Sequence, residues 1–159
     1  MRTLVLAVVV TLVAAGCGGS SDDAPSSLQA GIYTYELTKD YLVENGISEE
    51  QAANEAGKHE ATLRDHGTFT DSWTTTGGST GSCSGTYEES EDSRVTFKWL
   101  TGCFGDWEMT YAVDGDTVTW SDHEALPLDG MPASDEDQNV TEVLNSVPWT
   151  RIGDAQEED

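Results

Sequence analysis

Trp107-Glu108-Met109-Thr110-Tyr111-Ala112-Val113-Asp114-Gly115-Asp116-Thr117-Val118-Thr119-Trp120 is the stretch whose pattern decides the fold. Bulky side chains take every second position on both sides of Asp114-Gly115-Asp116, with Thr and Glu prominent between them. A period of two is what a half-buried strand requires, since successive side chains leave opposite faces of the pleat. The Asp-Gly pair supplies the backbone geometry of a tight hairpin. Residues 107–120 therefore read as two antiparallel strands with one apolar face.

The same signature recurs toward both termini. Tyr33, Tyr35 and Leu37 alternate with polar residues, as do His59, Ala61 and Leu63; Phe69, Asp71 and Trp73; Cys83, Gly85 and Tyr87; and Val95, Phe97 and Trp99. Val147, Trp149 and Arg151 complete a set of eight strands. Asp65-His66-Gly67 and Glu91-Asp92-Ser93 read as further tight turns, and Gly77 to Ser82 as a flexible loop. Short connections place successive strands side by side, as a meander. Thr38 to Asn45 reads as a helix ending at Gly46, and Ser48-Glu49-Glu50-Gln51 as a capping box opening a second helix toward Gly57. A third short helix, about Glu136 to Asn145, precedes the last strand.

Eleven of the thirteen aromatic residues fall on one face of these strands; only Tyr41 and Phe104 do not. A sheet with one apolar face must bury it, and eight meandering strands do so by closing on themselves. The predicted fold is thus an all-β, eight-stranded antiparallel meander β-barrel, with two short helices between strands 1 and 2 and one before the last strand. The alternative is a curved sheet covered by those helices. The predicted wall is Tyr33, Tyr35, Leu63, Phe69, Trp73, Tyr87, Phe97, Trp99, Trp107, Tyr111 and Trp120, with His59, Asp71 and Arg151 sharing its inward parity. Two interiors suit this set. One is tightly filled; the other is a cavity in which His59, Asp71 or tyrosine hydroxyls orient a ligand.

An eight-stranded meander with a helix pair after its first strand resembles the calycin group, the lipocalins and fatty-acid-binding proteins. Gly31-Ile32-Tyr33 stands where lipocalins carry Gly-x-Trp, and Arg151 ends the last strand where they have an arginine on that first-strand ring. The resemblance spans residues 30–152 and implies binding of a small apolar or amphipathic molecule.

The N-terminus reads separately. Arg2 is followed by the uncharged run Leu4 to Val13, then Ala14-Ala15-Gly16-Cys17. A basic residue, an apolar run and small residues before a cut make a secretion signal. The run is shorter than the ~20 residues that span a bilayer. Cys17 after the small residues resembles a bacterial lipobox, with Ala14 where that pattern usually has Leu. The resemblance implies a lipid on Cys17, a membrane anchor and a place on the extracytoplasmic face of the cell membrane. The predicted organisation is a signal peptide (1–16), a flexible tether (17–30), the barrel (31–153) and an acidic tail (154–159).

Removing residues 1–16 leaves 143 residues with 6 Lys+Arg against 30 Asp+Glu. So negative a chain repels nucleic acid, which excludes that class of partner. The same charge disfavours fatty-acid carboxylates unless Arg151 or His59 meets the head group, leaving neutral or cationic amphiphiles favoured. Cys83 and Cys103, an isolated pair in a secreted chain, predict a disulfide.

His59-Glu60 and His66 fall short of the zinc-protease spacing, since the second His comes seven residues after the first, and on a strand. Asp129, Asp135, Glu136 and Asp137 lack the spacing of a calcium hand. No nucleophile–base–orienter set, phosphate loop or cofactor motif stands out, so catalytic, metal and cofactor residues are predicted to be absent. The predicted role is a lipid-anchored extracytoplasmic protein, not an enzyme, that binds a small apolar or amphipathic ligand. The alternatives are a filled structural barrel contacting an unidentified protein partner, and a hydrolase with scattered catalytic groups.

Overall fold

β1 (Gly31–Leu37), α1 (Lys39–Glu44), α2 (Glu49–Glu55), β2 (Gly57–Leu63), β3 (Thr68–Thr75), β4 (Thr80–Glu89), β5 (Arg94–Thr101), β6 (Asp106–Asp114), β7 (Thr117–Leu126), α3 (Asp135–Asn145) and β8 (Trp149–Gly153) follow one another along the chain. They come from a computed structural model that describes residues 27–101, 105–127 and 132–156. Every strand pairs antiparallel with its sequence neighbour, and β8 returns to β1 to close the barrel. The predicted fold class is the observed one.

The turns behave as their residues require. Gly67 and Gly115 take positive φ of 77° and 59°, and Asp114 pairs with Thr117 across a two-residue loop. Ser48 accepts a hydrogen bond from the Gln51 backbone, as its capping role predicts. The full reciprocal box lies instead on α3, between Ser134 and Asp137.

Three strand boundaries need correction. Gly77 to Ser82 is not all loop, because β4 starts at Thr80 and pairs Gly81 with Trp73 and Ser82 with Ser72. β7 runs on to Leu126, past a register shift against β6 and a positive φ of 49° at Asp122. The irregularity breaks the period of two, so Ser121-Asp122-His123-Glu124 carried no strand signal. β8 begins at Trp149, two residues later than its alternation suggested.

Packing divides the barrel along its axis. At one end Tyr33, Leu63, Val95, Tyr111 and Val118 are buried together. Leu28, from the segment read as tether, is buried too, and its N–H reaches Glu89 Oε2, which also accepts from Tyr111 Oη at 2.6 Å. Folded chain therefore reaches back at least to Leu28. Arg151 crosses this end: it pairs with Tyr33, and its guanidinium donates to the Ala30 carbonyl and Asp154. Gly31 makes the crossing possible, since a Cβ there would lie 2.6 Å from Arg151 Nε.

At the other end the three helices gather. Gln138 of α3 accepts from the Ala125 N–H and donates to the His123 carbonyl, pairing with the edge of β7 much as a strand would. Tyr41 of α1 donates to the Val143 carbonyl of α3.

Candidate functional site

Beneath these helices the barrel is hollow. A cavity of about 740 Å³ opens between α2, α3 and the strand ends, within the range of small-molecule sites. Of the predicted wall, Tyr35, His59, Phe69, Asp71, Trp73, Phe97, Trp99 and Trp107 line it. Tyr33, Leu63, Tyr87, Tyr111, Trp120 and Arg151 do not, since they belong to the filled end. The barrel is thus filled at one end and hollow at the other, a combination of the two interiors weighed from the sequence.

Two walls differ in geometry. On one, Trp149, Tyr35, His59 and Trp73 form a continuous stack across β8, β1, β2 and β3. The ring centroids are 4.9, 4.6 and 5.8 Å apart and the planes tilt by 20° or less. On the other, Phe69 meets Trp99 edge-on at 4.3 Å, and Trp99 meets Trp107 at 5.0 Å. The two walls thus combine stacked and edge-to-face ring pairs. The stack depends on Gly81, where a Cβ would stand 2.3 Å from the Trp73 ring.

A polar group is set into the stacked wall. Tyr35 Oη donates to Asp71 Oδ2 at 2.9 Å, and His59 Nδ1 lies 3.5 Å from the same oxygen, an ion-pair contact rather than a tight hydrogen bond. His59 Nε2 lies 3.0 Å from the Glu55 carbonyl, which can only accept, so Nε2 carries a proton. Nδ1 then faces a carboxylate, and the contact is attractive when the ring is an imidazolium.

Desolvation, the largest effect on His59, lowers its pKa. The Asp71 contact, the Glu55 carbonyl and the Glu55 charge outweigh it and leave the ring above the ordinary histidine value. Burial, reinforced by Asp71, holds the Tyr35 phenol well above its usual range. Burial also raises Glu55, against the pull of His59. Asp71, Trp99 and Trp149, all lining the cavity, each carry a buried polar atom without a hydrogen-bond partner among the described residues: Oδ1 and two indole N–H groups.

Sequence reasoning placed the helices but named none of their residues as lining. Glu50, Gln51, Asn54 and Glu55 of α2 and Glu136, Asp137, Val140, Thr141, Leu144 and Asn145 of α3 also line the cavity. The signal for α3 was Val140 and Leu144, four apart in a polar run. Leu37, Met109 and Trp149 had inward parity but were not singled out. No Lys or Arg lines the cavity among the described residues.

Cys83 is buried on β4; Cys103 and Cys17 lie outside the described residues. No helix among the described residues is long and apolar enough to cross a membrane. The sequence profile of a protein family of unknown function, DUF7537, matches residues 2–97. No curated protein and no solved structure matches the chain.

Proposed function

The chain belongs to the DUF7537 family, whose function is unknown, and from that premise we propose that it binds a small apolar or amphipathic molecule in the open half of its barrel. The observation that carries this reading is the half-filled interior. A barrel serving only as a scaffold gains from packing its whole length, because empty space forfeits contact energy. Here the aromatic lining stops short of filling one end, and helices roof it. The lining is ring-rich with a few polar groups, the composition of a site for a flat organic molecule.

Arg151 is engaged at the far end and His59 is held by Asp71, so neither is free to meet a fatty-acid carboxylate. A neutral or cationic ligand suits the cavity better. The lipid on Cys17 would hold the barrel to the extracytoplasmic face of the membrane, where amphipathic molecules concentrate. The role is capture rather than catalysis.

Titration with Nile red, a neutral flat probe whose emission rises in apolar surroundings, tests the ligand reading. Saturable binding is expected, weakened roughly three- to tenfold in Trp73→Ala, from the worth of one aromatic contact. If no saturable binding occurs, a barrel serving a protein partner becomes the reading to prefer.

A further inference from the structure

We infer that the cavity selects organic cations, flat amines whose ammonium group is met by the Glu55 carboxylate at the edge of the ring stack. This rests on the cavity being a ligand site and names the class of ligand. Glu55 ends α2 and lines the cavity, yet its carboxylate makes no hydrogen bond or ion pair with a described residue. Its backbone carbonyl holds His59, and its carboxylate is near enough for the two side chains to act on each other's charge. One imidazolium, His59, is shared by two carboxylates, Asp71 and Glu55, so the pair leaves the pocket with net negative charge.

Partial burial makes that charge costly to leave unmatched, and a cation entering the pocket relieves it. The aromatic rings that line the cavity attract the same group through their negative π-clouds. An anionic ligand would meet Glu50, Glu136 and Glu55, with no Lys or Arg among the described lining residues to answer them.

The test is isothermal titration of the full-length protein with naphthylethylamine, naphthylethanol and naphthylacetate, which share one ring body. Salt at about 1 M shortens screening to ~3 Å, which silences diffuse attraction to the acidic surface but spares a partly buried pair. The amine is expected to bind about tenfold more tightly than the alcohol, with the acid weakest. In Glu55→Gln the amine's advantage should fall to less than about threefold while the alcohol's affinity is unchanged, which also shows the barrel intact. Equal affinities for amine and alcohol, or an advantage that survives Glu55→Gln, overturn the assignment of cations. Failure of all three probes to bind overturns the ligand reading itself.

Discussion

His59 is fixed by two partners of different kinds, and its proton follows from them. The Glu55 carbonyl demands a proton on Nε2, and Asp71 favours a second on Nδ1. Its folded-state pKa is therefore raised, so its contribution to stability is fully present below the unfolded value of 6.5 and is lost as pH rises through the folded value. His123 is the opposite case: burial lowers it, despite its contact with the Asn145 carbonyl. Titration of the imidazole C–H signals by NMR should find His59 above and His123 below the ordinary value. If His59 titrates below it, the imidazolium–carboxylate pair does not exist.

The predicted Cys83–Cys103 bridge has one described end, Cys83 on β4. Counting back from the turn near residue 92 sets residue 83 opposite residue 100, but a bulge between Ser84 and Gly85 shifts the register so that Ser84 pairs with Thr101. Closing a loop of about twenty residues is worth roughly 3 kcal/mol in the chain-entropy view. Thiol titration of unfolded, unreduced Cys17→Ser protein should detect no free thiol; two would exclude the bridge.

Elements of this kind were legible because the apolar residues keep a period of two and the turns are chemically explicit. Asp114-Gly115 marked its hairpin, and Tyr33, Tyr35 and Leu37 marked β1. The end of β7 was not legible, because Asp122 at positive φ interrupts the pattern. Parity along a strand told which residues face inward, and it put Tyr35, His59, Asp71 and Trp73 together correctly. It could not tell depth along the barrel axis, so Tyr33 and Trp120 were grouped with residues of the open end. The helices themselves were legible, but which of their residues face the cavity was not, because helix-to-sheet packing depends on tertiary contacts such as Gln138 against β7, which no local pattern announces.

The whole molecule joins a lipid attachment reading at one terminus to a barrel open at one end. If Cys17 carries the lipid, wild-type protein should enter the detergent phase and Cys17→Ser should remain in the aqueous phase. Equal partitioning of both into detergent would make the apolar run itself the anchor. The central claim, that the open half of the barrel is a ligand site, has a built-in control in its tryptophans. Trp73, Trp99, Trp107 and Trp149 line the cavity, whereas Trp120 packs in the core beyond it. The decisive measurement is an NMR titration of the five indole N–H signals with naphthylethanol, assigned by single Trp→Phe variants. The cavity-lining signals should move together and saturate, with Trp120 moving least. If none saturates, or Trp120 moves as far as the rest, the open end of the barrel is not where ligands bind.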